Sequence, residues 1–149
     1  MSSKTIVVGC DHGGFRLKEK ITAFLRKGQW RIKDVGTFSQ EAMDYPDTAY
    51  LAALAVSKKK AWRGILVCKS GIGNCIVANK VKGVRAALCY NEKAALLSRQ
   101  HNDANILVLG SLFVTEARMK KMIALFLKTP FEGGRHGRRI KKIERIERS

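Results

Sequence analysis

The sequence predicts an α/β fold: a five-stranded parallel sheet with helices on both faces. Three observations carry that prediction. Five short apolar runs, at residues 6–10, 30–35, 65–67, 84–89 and 104–110, have the length and composition of strands. Most of the segments between them repeat apolar residues at helical spacing. Strands alternating with helices favour parallel pairing, with crossover helices packed on either face. A chain of 149 residues with 46% hydrophobic content suits one domain, residues 1–149, with a substantial core.

Each element has its own signal. Ile6 to Cys10 is a buried first strand that runs into the polar turn Asp11-His12-Gly13-Gly14. Phe15, Leu17, Ile21, Phe24 and Leu25 mark one face of a helix that Gly28 closes. Residues 30–35 alternate apolar and polar, the pattern of an edge strand. Residues 36–46 form a loop containing Asp44-Tyr45-Pro46. Asp47 is expected to cap the next helix, with Tyr50, Leu51, Leu54 and Ala55 inward. The third strand, 65–67, leads into the loop from Cys68 to Gly73, and 84–89 is the fourth. Asn91 caps a helix that ends near His101, and 104–110 is the fifth strand. Thr115 opens a helix with Met119, Met122, Ile123, Phe126 and Leu127 inward, stopped before Pro130. Beyond a glycine-rich basic loop, Ile140, Ile143 and Ile146 give an amphipathic helix with a narrow apolar stripe. That stripe suits its own domain or a second subunit.

Charge and cysteine content bound the function. The 29 Lys and Arg exceed the 12 Asp and Glu, giving a formal net charge of +17. Such a surface attracts phosphorylated metabolites, nucleic acid or acidic partners. Cys10, Cys68, Cys75 and Cys89 lack paired zinc-site spacing, and buried reduced thiols are expected for most of them. No signal-peptide pattern or run of transmembrane length is present, so a cytoplasmic location without a membrane partner is expected.

In open parallel sheets, ligands gather at the carboxyl ends of the strands. Asp11-His12 follows the first strand, Cys68 to Gly73 the third and Ser111 the fifth. The Cys68 stretch is the most informative. Outward backbone N–H groups where a loop feeds a helix bind anions and favour a thiolate. Cys68 is therefore expected to be a base or nucleophile with a lowered pKa. A structural thiol on an ordinary turn is the plainer alternative.

Several stretches in order resemble one family, the ribose-5-phosphate isomerase B and galactose-6-phosphate isomerase group, and its ribose-5-phosphate isomerase B branch most. They are Gly9-Cys10-Asp11-His12-Gly13-Gly14-Phe15, Asp44-Tyr45-Pro46, Gly64 to Cys68 with Ser70-Gly71-Ile72-Gly73, and Ala78-Asn79-Lys80. Ser98 to Asn105 and Phe131-Glu132-Gly133-Gly134-Arg135-His136 complete the set. The resemblance implies a Rossmann-like three-layer α/β/α sandwich with a C-terminal helix. It implies dimers, some paired into tetramers, with each active site shared between subunits and residues 131–149 at the dimer interface. It also implies aldose–ketose isomerisation of a sugar phosphate through an enediolate, ribose 5-phosphate to ribulose 5-phosphate, with neither metal nor organic cofactor.

The same resemblance assigns roles. Cys68 matches the proton-transferring base, and Asn74 stands where members without that Cys carry a Glu base. Ser70 matches a group that hydrogen-bonds the reacting oxygens. The N–H groups of Ser70, Gly71, Ile72 and Gly73 match an anion hole for the enediolate. His101 matches the sugar-ring opener, a role suited to a group titrating near neutrality. Asn102 orients substrate, Asp11 and His12 contact its hydroxyls or phosphate, and Tyr45 walls the site. Arg135 and Arg139 match the phosphate-binding arginines, contributed to the partner's site. Lys69 departs from the family's usual Gly; it is strained if that backbone is left-handed, and otherwise points outward or adds positive charge beside the anion.

Other readings remain. One is isomerisation of a six-carbon substrate, galactose 6-phosphate or allose 6-phosphate. Another is a catalytically impaired homologue that binds nucleic acid or other anions, suggested by the charge. Against nucleic acid stand the absence of a recognisable motif and of aromatic residues among the tail cations.

Overall fold

The computed structural model describes residues 4–149. Five strands form one parallel sheet: β1 (Thr5–Cys10), β2 (Arg31–Asp34), β3 (Arg63–Cys68), β4 (Ala86–Leu88) and β5 (Ile106–Gly110). Their order is β2-β1-β3-β5-β4, so the three most apolar strands lie at the centre. Every residue of β3 and β5 is buried, as parallel strands covered on both faces require. β2 alternates exposed and half-buried residues at one edge, as its sequence predicts. β4 is shorter than the run 84–89 and forms the other edge.

Six helices are described: α1 (Phe15–Lys27), α2 (Tyr45–Ser57), α3 (Ile72–Ala78), α4 (Glu92–Gln100), α5 (Glu116–Lys128) and α6 (Arg135–Arg148). A short 3₁₀ turn, His12–Gly14, precedes α1. α1, α4 and α5 pack on one face of the sheet, around Ile6, Val8, Ile65, Val67, Leu107 and Leu109. α2 and α3 cover the other, around Val7, Leu66, Ile106 and Val108. This is the expected α/β/α sandwich. Asn91 and Thr115 cap α4 and α5 through their side chains, as their positions predict.

α2 differs from expectation. It starts at Tyr45, with Asp44 at the cap position and Asp47 inside the first turn. Pro46 sits where a missing N–H costs nothing. Its inner face is small: Ala49, Ala52, Ala53 and Ala55 are buried, whereas Tyr50 and Leu51 are each 50% exposed. Alanines let the helix approach the sheet closely. The larger side chains form an outer apolar face instead.

α6 runs along the amino-terminal edge of the sheet. Gly83 donates its N–H to Glu147 at 2.9 Å, and Glu144 shares a cleft with Thr5, Trp62 and Arg85. Of its apolar stripe only Ile140 is buried; Ile143 and Ile146 are exposed. No helix among the described residues is long and apolar enough to cross a membrane.

Candidate active site

The carboxyl ends of β1 and β3 open into a cleft of about 510 Å³. Asp11, His12, Tyr45, Cys68, Lys69, Ser70, Ile72 and Gly73 line it together with Ile76. Eight of these nine residues come from the stretches that the sequence marks out.

Cys68 ends β3 with its side chain 5% exposed. Gly71 donates its N–H to Cys68 Sγ at 3.2 Å, and the N–H groups of Asn74 and Ser70 also favour a thiolate there. Burial outweighs them. Loss of hydration, assisted by the Asp11 carboxylate, raises the thiol above its ordinary value. The expectation of a lowered pKa is therefore reversed: the loop's donors moderate a cost that burial dominates.

The loop also differs from an empty anion hole. Its donors at Gly71 and Asn74 are directed at sulfur, and Ile72 donates its N–H to Ser70 Oγ at 3.1 Å. Gly71 has φ of +85°, and a Cβ there would lie 2.5 Å from Leu88 Cδ1, so the turn requires glycine. Lys69 is not among the described non-glycine residues with positive φ. The substitution of Lys for the family's Gly carries no left-handed strain. The exposed Lys69 side chain passes over Gly13 at the cleft mouth.

The turn after β1 is held from two sides. Asp11 Oδ1 accepts the Gly14 N–H at 3.1 Å, the capping contact that its position allows. His12 Nδ1 accepts the Met43 N–H at 3.2 Å. A neutral ring then carries its proton on Nε2, leaving a donor for a bound ligand. Below lies Lys18, fully buried, its Nζ on Asp34 at 2.8 Å and on the Thr37 carbonyl at 2.7 Å. That ammonium fixes the chain between β2 and Met43. Tyr45 lies close against Gly73; a Cβ on Gly73 would meet its ring at 2.4 Å.

Two further residues support the site without a clear sequence signal. Tyr90 donates its hydroxyl to the Ser70 carbonyl at 3.0 Å. Its place just after β4, at the carboxyl edge, is the only hint. Thr48 donates to the Cys10 carbonyl at 2.8 Å, tying α2 to the end of β1. Asn74 is fully buried, and neither polar atom of its side chain has a partner among the described residues.

His101, Asn102, Arg135 and Arg139 do not join this cleft. α4 runs back from the carboxyl edge, so His101 lies before the start of β5, whereas Cys68 pairs in register with Gly110 at its end. The rise along β5 alone separates those levels by roughly 13 Å. His101 stacks on His136, centroids 4.2 Å apart, and Arg135 and Arg139 are exposed on the same helix as His136. The candidate residues thus form two groups, at opposite edges of one sheet.

Comparison with known proteins gives the family. The model of the ribose/galactose isomerase family matches residues 6–143. The chain is 48% identical over 148 residues to a probable ribose-5-phosphate isomerase B of Mycoplasma genitalium, covering 98% of this chain and 97% of the relative. It is 44% identical over 144 residues to ribose-5-phosphate isomerase B of Escherichia coli, covering 97% of both. The crystal structure of the Mycoplasma genitalium ribose-5-phosphate isomerase B with bound ribulose-5-phosphate superposes with a TM-score of 0.96 at 47% identity, covering 100% of this chain and 99% of that one. The Clostridium thermocellum ribose-5-phosphate isomerase B gives 0.95 at 45%, covering 97% of each chain. With the Cys68 loop, the turn at Asp11 and the sheet that holds them, these likenesses place the chain in the ribose/galactose isomerase family.

Proposed function

We propose that this chain interconverts D-ribose 5-phosphate and D-ribulose 5-phosphate through an enediolate, as a homodimer whose two sites are each built from both subunits. The observation that carries this reading is Cys68, buried at a strand end under converging N–H groups, in a chain so close to a relative solved with ribulose-5-phosphate.

Isomerisation begins with an open-chain aldose. A base removes the proton from C2, an enediolate forms across C1 and C2, the hydroxyl proton passes from O2 to O1, and the carbon proton returns at C1 to give the ketose. Cys68, as thiolate, is the base in this reading. Ser70, which already accepts a hydrogen bond from Ile72, contacts the reacting oxygens. Part of the loop's N–H set turns to the developing enediolate once substrate excludes water. His12 donates from Nε2 to a substrate hydroxyl, with Asp11 beside it, and Tyr45 and Ile72 wall off solvent. Gly71 and Gly73 leave the backbone close to the substrate.

Ring opening by His101, orientation by Asn102 and phosphate binding by Arg135 and Arg139 need those groups within hydrogen-bond reach of the sugar, about 3 Å. One chain cannot supply that, because the two groups lie at opposite edges of the sheet. A second copy can, and residues 131–149 then sit at the interface. Exposed apolar residues support pairing: Ile72 and Ile76 beside the cleft, and Ile143 and Ile146 on α6. A charge of +17 suits an anionic substrate. The location in this reading is the cytoplasm, in keeping with four unpaired thiols.

The test is ribose 5-phosphate to ribulose 5-phosphate conversion in the presence of a chelator, beside galactose 6-phosphate and allose 6-phosphate. Wild type turns over the pentose. Cys68→Ala loses about 10²- to 10⁴-fold in kcat, the usual size of a general-base contribution. Equal activity in that variant overturns the assignment of the base.

A further inference from the structure

A cluster of reactive side chains lies within the second group, away from the same chain's Cys68. His101, Glu132 and His136 present one ligand atom each, all within 4.8 Å of one another. We propose that these three residues form a binding site for a borderline transition-metal ion, Zn²⁺ or Co²⁺, and that occupancy withdraws His101 from the reaction. The inhibition, though not the binding, rests on the isomerase reading above.

The geometry is close to what such an ion needs. Two His and one Glu, with the fourth position open, is an established zinc donor set. With metal–ligand bonds near 2.05 Å, neighbouring ligand atoms of a tetrahedral site lie about 3.4 Å apart. His136 Nε2 and Glu132 Oε1 are already 3.6 Å apart. His136 is 95% buried, and its Nε2 has no hydrogen-bond partner among the described residues. Such a nitrogen is an unused ligand. His101 is half-buried and stacks on His136 at 11°, so its ring must turn out of the stack to complete the set.

Backbone contacts hold the cluster in place. Glu132 donates its N–H to the Gln100 carbonyl at 3.1 Å, and His136 donates to Gly133 at 3.1 Å. The loop before α6 is thereby fastened to the end of α4. Arg135 and Arg139 face His136 and oppose any cation. That field disfavours Mg²⁺ and Ca²⁺, which are held mainly by charge on oxygen. Zn²⁺ and Co²⁺ bond well to imidazole and tolerate it.

The test uses the full chain stripped with chelator. Calorimetric titration with Zn²⁺ is expected to show one ion per chain, with affinity reduced at least tenfold in Glu132→Gln and in His136→Gln. Co²⁺ is expected to give visible absorption bands without thiolate charge transfer. Unchanged affinity in both variants, no binding, or a thiolate band from the cysteines overturns the site. In turnover, Zn²⁺ is expected to inhibit wild type in step with occupancy and to spare Glu132→Gln at the same concentration. Equal inhibition of both contradicts the withdrawal of His101. A stripped wild type without isomerase activity counts against the proposed function, while calorimetry and the Co²⁺ spectrum still decide the metal site.

Discussion

The backbone N–H of Gly71 points at the sulfur of Cys68 from 3.2 Å, in a pocket where burial nonetheless raises that thiol's pKa. Two opposing effects therefore meet at one atom. The donors make a thiolate tolerable; the apolar surroundings make it scarce at neutral pH.

That balance sets the pH dependence. In the proposed mechanism the base is the Cys68 thiolate, and the folded-state pKa of that thiol lies above the ordinary value. Activity is therefore expected to climb between about pH 7 and 9 as the reactive fraction grows. The measurement is kcat/KM for ribose 5-phosphate across that range. A flat profile from neutral pH upward indicates a thiol already ionised.

Lys18 and Asp34 support the site from below. Breaking a buried pair strands its partner, so Lys18→Met is expected to cost about 3–5 kcal/mol in denaturant unfolding. It also frees the Thr37 carbonyl and the segment that presents Met43 to His12. A loss under about 1 kcal/mol contradicts a structural role for this ammonium.

Gly71→Ala tests the turn itself. Its φ of +85° and the nearby Leu88 leave no room for a methyl group. The expected cost is about 1–3 kcal/mol of stability, with a larger fall in kcat as the Ser70 loop moves. Tyr90→Phe removes only the hydroxyl on the Ser70 carbonyl, so it should lower kcat while costing about 1 kcal/mol of stability. Unaltered kinetics in both variants separates the loop from catalysis.

Alkali provides a stability test independent of function. Burial pushes Cys10 and Cys89 up to about 11. An unfolded thiol ionises near 8.5, so the unfolded chain holds fewer protons above that pH. The stabilisation from keeping both thiols neutral is complete below the unfolded value and is lost as pH rises through about 11. The loss should be on the order of 3 kcal/mol per thiol, read from urea unfolding at rising pH. Cys10→Ala with Cys89→Ala should flatten the slope despite lowering stability overall.

Much of this was legible in the sequence, for identifiable reasons. Apolar runs such as 65–67 and 106–109 have no competing interpretation, and Asn91, Thr115 and Gly28 mark helix ends by local chemistry. Asp11, His12 and Cys68 could be placed together because strand ends in a parallel sheet share an edge. The start of α2 was misread because Asp44 and Asp47 are equally good caps by type. Its inner face was misread because four alanines outcompete Tyr50 and Leu51 for space against the sheet. The direction of the Cys68 shift depends on burial, which loop composition does not reveal. The harmless backbone at Lys69 depends on a single φ. The role of Tyr90 arises only once β4 lies beside β5.

The central claim is a site completed across two subunits, with Cys68 from one and His101 from the other. Mixing Cys68→Ala with His101→Ala tests it directly. Each variant alone is expected to be nearly inactive on ribose 5-phosphate. After unfolding and refolding together, random two-fold pairing gives half heterodimers, each with one intact site, and roughly a quarter of wild-type activity returns. A mixture no more active than its two components contradicts the shared site.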